Sequence, residues 1–267
     1  MPLFHLLLIA IIQGVTEFLP ISSSGHLILL PNLTGLADQG QVLDVAVHVG
    51  TLGAVVLYFR KDALLALNGT SELLRGRMET PGAFLALNLL IATIPVIAIG
   101  FLVNAAGLDA AMRSTAIVGW AMLGFGLVLY WADRVGAETR KAQDWTLKHA
   151  AIMGMWQVLA LIPGTSRSGI TITGGRFLGY AREDAARLAM LMSIPTILGA
   201  GLVTTVDVIR EGQSAALLEC ALAAVIAFFA ALAALAVMMR FLKSVNFTPY
   251  VIYRVLFGLF LLAISYN

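Results

Sequence analysis

The sequence predicts an all-α integral membrane protein with six transmembrane helices and two re-entrant broken helices, arranged as an inverted-topology repeat. Of its 267 residues, 60% are hydrophobic and 12% are charged. The mean hydropathy is +0.91, far from the average of soluble domains. The apolar residues also come in blocks of about twenty, the length that crosses a hydrocarbon core about 30 Å thick. Both observations indicate a membrane protein.

Six apolar blocks are long enough to be full spans, and two more are interrupted. The interrupted blocks, 3–19 and 148–162, each stop near a proline and a run of Ser and Gly before the apolar pattern resumes. We expect each of them to enter and leave on one side of the membrane. The six full spans lie at about 42–60, 83–103, 114–132, 183–206, 216–239 and 247–266.

The two interrupted blocks resemble each other, which indicates an internal duplication. Residues 13–26 and 157–171 align in Gln, Pro, Ser and Gly when one-residue gaps are allowed. A single membrane domain, 1–267, would then contain one repeat at about 1–140 and a second at about 141–267. Each repeat has three full spans, and because three is odd the second repeat should insert upside down.

The positions of Lys and Arg predict the orientation, because short cytoplasmic loops are enriched in these residues. We expect four loops to be cytoplasmic, both termini to face outward, and the two broken elements to enter from opposite sides. Two outer loops, 104–113 and 207–215, carry only Arg113 and Arg210. The basic residues of the four inner loops are Arg60, Lys61, Arg75 and Arg77; Arg134, Arg140, Lys141 and Lys148; Arg176, Arg182 and Arg187; and Arg240 and Lys243.

Charge and cysteine content exclude several classes of function. The net charge is +2 and the basic residues are scattered, so a nucleic-acid partner is not expected. Cys220 is the only cysteine, which rules out an intrachain disulfide and a thiolate metal cluster. Membrane lipids are the expected surroundings.

Three ionisable residues at the breaks are candidates for function. A polar run at membrane depth persists only where it is buried in protein or lines a wet cavity. An ionisable group there costs at least about 2.5 kcal/mol on insertion scales. Glu17, His26 and Arg167 are therefore expected in a shared cavity, where inverted symmetry brings the two breaks together.

Gln13 and Glu17 are four residues apart, so on a helix they lie one turn apart on the same face. Together they could hold a substrate group or a cation, and the alternative is a polar pair between helices. Oxygen ligands suit Mg²⁺ or Ca²⁺, but one carboxylate is few, so phosphate and water would complete the shell. Asp44 and His48, also four apart, could support the site or simply pack.

Hydroxyl groups surround both breaks. Ser22, Ser23 and Ser24 precede His26, which permits a serine nucleophile with a histidine base. The alternative is a helix N-cap. Arg167 is flanked by three hydroxyl residues, an arrangement that predicts a phosphate cradle, and a snorkelling arginine is the alternative. These hydroxyl residues are Thr165, Ser166 and Ser168.

At these positions the chain resembles the undecaprenyl-diphosphate phosphatase family, the bacitracin-resistance type of integral membrane phosphatase. The family signatures are Glu/Gln-x-x-x-Glu, Pro-x-Ser-Ser-x-Gly-His and Pro-Gly-x-Ser-Arg-Ser-x-x-Thr. They appear here as Gln13 to Glu17, Pro20 to His26 and Pro163 to Thr171. The similarity extends over the whole chain.

The resemblance implies hydrolysis of undecaprenyl diphosphate to the monophosphate, the lipid carrier for peptidoglycan. It implies a bacterial plasma membrane location, a site open to the outer face and dependence on a divalent cation, and it raises the prospect of homodimers. By position, Ser23 would be the nucleophile, His26 its acid/base partner, Glu17 a metal or proton-handling carboxylate and Arg167 the phosphate clamp. Substrate contacts would come from Gln13, Ser22, Ser24, Thr165, Ser166, Ser168 and Thr171.

Two features leave the metal site and the function open. The family signature accepts glutamate or glutamine at the position of Gln13, and compared with members that have glutamate the metal has one carboxylate fewer. Inverted repeats with broken helices are also the architecture of many transporters, which makes a carrier or flippase for polyprenyl phosphate the alternative. A carrier needs no nucleophile, so the serine, histidine and arginine together favour the enzyme. A structural scaffold would leave both polar breaks unexplained.

Overall fold

The computed structural model describes residues 2–34, 40–108, 112, 114–210 and 217–266, and helices make up most of these ranges. Two short 3₁₀ helices, Ala142–Asp144 and Leu159–Leu161, add to the α-helices. The α-helices are α1 (Leu3–Thr16), α2 (Ser23–Thr34), α3 (Gln41–Tyr58), α4 (Arg60–Leu74), α5 (Pro81–Ala105), α6 (Thr115–Val135), α7 (Leu147–Val158), α8 (Arg167–Phe177), α9 (Arg182–Arg210), α10 (Leu217–Phe241) and α11 (Thr248–Tyr266).

Six of these helices, α3, α5, α6, α9, α10 and α11, are long and apolar enough to cross a membrane. They match the six predicted spans, which confirms an all-helical, multi-pass membrane protein. Their outward faces carry large apolar side chains, such as Phe101 at 72% exposure and Leu202 at 68%. Such a surface would drive aggregation in water, and it is explained by lipid as the solvent.

The two interrupted elements are helix pairs, as predicted. The first pair is α1 and α2, joined through residues 17–22, and the second is α7 and α8, joined through residues 159–166. Helix α1 packs against α10, and α7 packs against α5 and α8. Each pair is therefore surrounded by full spans, which satisfies the requirement that irregular backbone at membrane depth be buried in protein.

Small residues bring the helices close together. A Cβ atom added to Gly50 on α3 would lie 2.1 Å from the carbonyl oxygen of Ala224 on α10. One added to Gly119 on α6 would lie 3.0 Å from the carbonyl oxygen of Gly258 on α11. Backbones can approach this closely only without side chains, and such contacts are typical of membrane helix interfaces, where packing rather than hydrophobic burial drives association.

Helix α4 was not predicted, because residues 60–77 were assigned to a cytoplasmic loop. Arg60 and Lys61 begin this helix, and Arg75 caps its end. The helix packs against α5, where a Cβ on Gly69 would lie 2.0 Å from the backbone of Gly82. Polar residues interrupt its apolar ones, so no continuous hydrophobic run marks it, and its 15 residues are too few to span a bilayer.

The third predicted loop is also wrong in part, because its arginines lie in helices. Arg176 belongs to α8 and is fully buried, while Arg182 and Arg187 lie in α9. The side chain of Asp133 on α6 explains the burial, because one of its oxygens accepts from Arg176 Nε at 3.0 Å and from Arg182 Nε at 2.8 Å. Its other oxygen accepts from the backbone amide of Phe247 at 3.1 Å.

This Asp133 cluster fastens one end of the bundle. It links α6, α8 and α9 with the segment that precedes α11, so one carboxylate holds four parts of the chain. The nearby connection contains Tyr180, whose burial raises its pKa to about 12, so the phenol stays protonated and donates to the Asp144 carbonyl at 3.1 Å. Of the two basic residues assigned to outer loops, Arg210 is the last residue of α9, and Arg113 lies outside the described residues.

Candidate functional site

Both broken elements turn at a serine in the left-handed region. Ser22 has φ of 72° and Ser166 has φ of 70°, values that are uncommon for residues other than glycine. Each serine hydroxyl accepts a hydrogen bond from the amide three residues on, Gly25 N at 3.4 Å and Gly169 N at 3.2 Å. These two serines therefore act as N-caps, and Ser23 and Arg167 begin α2 and α8 at equivalent positions.

The carboxylate of Glu17 joins the two breaks. Its Oε1 accepts from Arg167 Nη2 at 2.8 Å. Its Oε2 accepts from Ser23 Oγ at 2.9 Å and from Gln13 Nε2 at 2.8 Å. The structure thus confirms that glutamate and serine from the first break meet arginine from the second, and that Gln13 and Glu17 share a helix face.

The Glu17 to Arg167 ion pair is largely shielded from solvent. The two side chains are 8% and 14% exposed, so neither charge would be tolerated without the other. One donor is left over, because the buried Nη1 of Arg167 makes no hydrogen bond to any described residue. A buried guanidinium nitrogen without an acceptor is a site suited to an anionic oxygen.

His26 does not pair with Ser23, although the three-residue spacing permitted it. Its Nδ1 lies 2.7 Å from the Ser22 carbonyl oxygen and its Nε2 lies 2.5 Å from Tyr253 Oη. The ring also stacks on Phe257 at a centroid distance of 4.6 Å. Helix α11 thus occupies the imidazole, while Ser23 turns toward Glu17, and no hydrogen bond between His26 and Ser23 is found in the described part of the chain.

His48 lies in the site, which spacing on α3 alone could not establish. Its Nδ1 is 2.7 Å from the Asp44 carbonyl oxygen, its Nε2 is 3.0 Å from Gln13 Nε2, and the same Nε2 is 3.9 Å from Glu17 Oε2. Because the carbonyl can only accept, Nδ1 carries the proton and Nε2 accepts from the Gln13 amide. His48 therefore orients the Gln13 amide, which in turn orients the Glu17 carboxylate.

The site opens into two cavities that share Asp44 and His48. One has a volume of about 280 Å³ and the other about 410 Å³. Ser23 lines the smaller cavity, while Glu17 and Arg167 line the larger. Apolar residues also line both cavities, namely Leu27, Ile28, Ala160, Leu161 and Pro163 in the smaller and Val45, Ile197, Ala200 and Val203 in the larger. The larger cavity has further polar side chains, those of Gln41, Asn104, Thr196 and Thr204.

Comparison with known proteins identifies the family. The pattern of the family described as bacitracin resistance protein BacA matches residues 6–260. The chain belongs to the BacA family. A relative from Dinoroseobacter shibae, named undecaprenyl-diphosphatase, is 66% identical over 267 residues, with 100% of both chains covered. Relatives of the same name from Roseobacter denitrificans, with 100% of both chains covered, and Maricaulis maris, with 98% of both covered, are 63% and 45% identical.

The other hydroxyl residues of this BacA-family protein mostly hold the two breaks together. Ser24 Oγ accepts from the Gly164 amide at 3.4 Å, and Ser168 Oγ donates to the Leu19 carbonyl at 3.0 Å. Each of these contacts crosses from one break to the other. They fix the relative position of α2 and α8, a role that the sequence did not distinguish from substrate binding.

The remaining predicted contacts are buried and lie in the lining of neither cavity. Thr171 is fully buried, and its hydroxyl donates to the Arg167 carbonyl at 2.8 Å. Ser166 Oγ lies 3.1 Å from Ser168 Oγ, as Ser22 Oγ does from Ser24 Oγ, so the two breaks repeat the same bond. Thr165 differs, because its buried hydroxyl has no hydrogen-bond partner among the described residues.

The residues fit a divalent cation only with help from a substrate. Gln13 Oε1 is buried and has no partner in the described part of the chain, so it is one available oxygen ligand. The Glu17 carboxylate is a second, although it already accepts three hydrogen bonds. No group of three or more His, Cys, Asp or Glu able to hold a metal occurs among the described residues. Phosphate and water oxygens would have to complete the shell of Mg²⁺ or Ca²⁺.

Proposed function

We propose that the BacA-family site hydrolyses undecaprenyl diphosphate to the monophosphate and inorganic phosphate, and so recycles the lipid carrier for cell-wall synthesis. The observation that carries this proposal is the contact of Ser23 and Arg167 with the two oxygens of Glu17. A nucleophile, a proton acceptor and a cation are thereby within reach of one phosphoryl group. The relatives that cover the full chain are named for this activity.

Binding of the diphosphate follows from the positive groups around the cavity. Arg167 Nη1 is a buried donor without a partner among the described residues, and a phosphate oxygen would satisfy it. Helix α2 begins at the smaller cavity with Ser23 and α8 begins at the larger with Arg167, so the positive ends of two helix dipoles would lie near the phosphates. The apolar walls suit the first isoprene units of the tail, which supplies most of the affinity through burial.

The chemical step uses Ser23 and Glu17. Ser23 Oγ already donates its proton to Glu17 Oε2 at 2.9 Å, so the carboxylate is placed to accept this proton as Oγ attacks the terminal phosphorus. The Oγ–P bond forms, the anhydride P–O bond breaks, and undecaprenyl phosphate leaves with the bonding electrons. Water then attacks the phosphorus of the phosphoserine, Glu17 returns its proton to the departing Ser23 Oγ, both hydrogens of the water stay on phosphate oxygens, and inorganic phosphate is released.

Arg167 stabilises the charge that the phosphoryl oxygens carry in the transition state. Its guanidinium is held by Glu17 before substrate arrives, so little reorganisation is needed during the reaction. In this arrangement the His26 imidazole is hydrogen-bonded to Tyr253, so it is not available as the base for Ser23. It holds the Ser22 carbonyl at 2.7 Å, and we assign it to positioning the break.

A divalent cation is part of the proposal. Glu17 and Gln13 Oε1 would hold Mg²⁺ or Ca²⁺ together with the diphosphate. When bound, the cation would neutralise phosphate charge and so assist departure of the lipid phosphate. Gln13 contributes a neutral ligand, and binding in the absence of substrate should therefore be weak.

The cellular setting is likewise proposed. We place the protein in the bacterial plasma membrane with its cavity open to the periplasmic face, as the family resemblance implies, and the basic residues of the predicted inner loops support the orientation. The lipid would enter between helices, with its tail remaining in the bilayer. Assembly as a homodimer would be compatible with the apolar outer surface.

Phosphate release by purified Ser23→Ala and Arg167→Ala tests the proposal. Each variant should lose on the order of 10²–10⁴ in kcat, because a nucleophile or a charge-stabilising group is removed. Ser71→Ala and Arg75→Ala are matched controls, because both residues are exposed on or beside α4, and they should keep full activity. Release is measured from undecaprenyl diphosphate in detergent, with and without a chelator.

Two outcomes would count against the mechanism. Near-normal turnover by Ser23→Ala would transfer the nucleophilic role to water. Lipid movement across vesicles without phosphate release would favour the carrier. Rapid quenching followed by mass spectrometry of the peptide that contains Ser23 should show the added phosphoryl group.

A further inference from the structure

Arg254 is a buried arginine that the proposed chemistry does not use. It lies within α11, in the middle of a span, and its side chain is fully buried. Among the described residues its guanidinium donates only to backbone carbonyl oxygens. None of the ion pairs found among these residues includes it. An unpaired charge within a membrane span is costly and is by default a functional candidate.

The carbonyls that Arg254 holds belong to two groups. On α6, Nε donates to Met122 O at 3.1 Å and Nη2 to Ala121 O at 3.4 Å. At the breaks, Nη1 donates to Pro20 O at 3.4 Å and Nη2 to Gly164 O at 3.1 Å. One planar group therefore bonds to both broken elements and anchors them to a full span.

The two carbonyls at the breaks occupy matched positions. Pro20 and Gly164 each lie two residues before the left-handed serine that caps α2 or α8, and three residues before Ser23 or Arg167. A hydrogen bond at this point fixes the turn from which the reacting side chain projects. The five donors of a guanidinium lie in a fixed plane, so their acceptors are held at a set separation.

We propose that Arg254 is a positioning residue for the phosphatase reaction, which sets the separation of Ser23 and Arg167 by holding the Pro20 and Gly164 carbonyls on one guanidinium. This inference rests on the proposed function of the site. The bridge acts through backbone atoms, so Arg254 touches neither substrate nor reacting groups. Its contribution is the alignment of nucleophile and clamp, for which an error of about 1 Å can cost a factor of about 100 in rate.

Arg254→Lys and Arg254→Met test whether the hydrogen-bonded bridge or the positive charge of Arg254 is what turnover requires. Lysine retains the positive charge, but a single ammonium cannot reproduce the planar fork, whereas methionine removes both. We expect kcat to fall by about 10-fold to 100-fold in both variants because alignment is lost. KM should stay within about threefold, since the groups that bind the phosphates and the tail remain. Phosphate release and thermal unfolding are measured on the same purified samples in detergent.

Arg176→Lys is the matched control. Arg176 is equally buried, but its partners are Asp133 and Glu138 at the other end of α8. This variant should lower the melting temperature and leave kcat per folded molecule unchanged. If Arg254→Lys behaves in the same way, or keeps wild-type kcat, Arg254 only stabilises the fold and the inference is wrong.

Gly169→Ala covers the case in which the Arg254 variants do not fold. A Cβ on Gly169 would lie 2.8 Å from Arg254 Nη1 and 3.2 Å from both Cβ and Oγ of Ser166, so it displaces the guanidinium while leaving the arginine in place, and it also crowds the serine that caps α8. The inference expects a fall in kcat with little change in KM, and an unchanged kcat overturns it. Ser23→Ala in the same assay distinguishes the failures: if it is active, the proposed serine nucleophile is wrong, and if only the Arg254 and Gly169 variants are active, only the bridge is wrong.

Discussion

At the residue scale, Glu17 determines how the other groups of the site are arranged. Its carboxylate accepts hydrogen bonds from Gln13, Ser23 and Arg167. Arg167 is 150 residues away from Glu17 in the sequence. A single carboxylate thus orients the proposed nucleophile, Ser23, balances the charge of the proposed phosphate clamp, Arg167, and is available to accept a proton. Substitutions at this position should affect all three roles together.

Glu17→Gln retains the size of the side chain and removes its charge. We expect kcat to fall on the order of 10²–10⁴, because the amide can neither accept the Ser23 proton nor balance Arg167. Phosphate release at saturating lipid measures the effect. A variant with more than about a tenth of wild-type kcat would assign the proton acceptor to another group.

His48 should act through a hydrogen bond that glutamine can replace. The amide oxygen of glutamine can accept from Gln13 as the imidazole Nε2 does, whereas leucine cannot. We therefore expect His48→Gln to keep most of its kcat and His48→Leu to lose about 5-fold to 10-fold, the worth of about one hydrogen bond. Equal activity of the two variants, measured by phosphate release, would show that this bond has no effect on turnover.

The sequence predicted the meeting of the two breaks, and its failures have physical reasons. The contacts of Glu17 with Ser23 and Arg167 could be anticipated because a polar break within an apolar run persists only where it is buried in protein or lines a cavity. The hydrogen bond between His26 and Tyr253 could not be predicted, because the two residues are 227 positions apart and no nearby sequence feature indicates the contact. Arg254 did carry a signal, a charge inside a predicted span, but its acceptors are backbone atoms that have no sequence signature.

At the scale of the helices, close contacts between small residues set the position of α3 against α10. Apolar length alone predicted both spans, because the bilayer requires it. Their packing required knowledge of which faces meet. Helix α4 was missed for the opposite reason. It packs against α5 but has no continuous apolar run, so the sequence pattern indicated a loop.

Gly50→Ala and Gly124→Ala test the packing of α3 on α10. A Cβ on Gly50 would lie 2.1 Å from the Ala224 carbonyl, whereas one on Gly124 meets no atom within 4 Å. Overpacking of this kind costs about 1–3 kcal/mol, so Gly50→Ala should unfold at a lower temperature. Gly124→Ala should be neutral or slightly stabilising, because alanine favours a helix by up to about 1 kcal/mol. Equal melting temperatures would show that α3 and α10 can move apart without cost.

At the scale of the whole molecule, the two ends of α8 have different tasks. Its first residue, Arg167, belongs to the reactive centre, and its last turn contains Arg176, which is bound to Asp133. The Asp133 cluster connects this helix to α6, α9 and the segment before α11. The inverted relation of the two halves stays a prediction, and the repeated serine geometry at the two breaks is what such a duplication would produce.

Asp133→Ala should destabilise the protein without a specific effect on chemistry. Removal of the carboxylate takes one acceptor from Arg176 and Arg182, which both still contact Glu138, and leaves the buried Phe247 amide without its acceptor. Breaking a buried ion pair costs at most about 3–5 kcal/mol. The melting temperature in detergent should fall, while kcat per folded molecule stays the same. Glu79→Gln, at an exposed position, is the control and should have no effect. A stable Asp133→Ala protein would mean that the remaining contacts suffice to hold this end.

The equivalence of Ser23 and Arg167 has a consequence for how such a centre can arise. A chain with two identical broken elements would present either a pair of hydroxyls or a pair of guanidinium groups, and neither pair combines attack with charge neutralisation. A difference at the first helical residue after each turn is thus enough to make a twofold-symmetric pocket asymmetric, so that a substrate can bind in only one orientation. Under the proposed mechanism, the substrate would approach with its terminal phosphorus toward Ser23 and its phosphoryl oxygens toward Arg167.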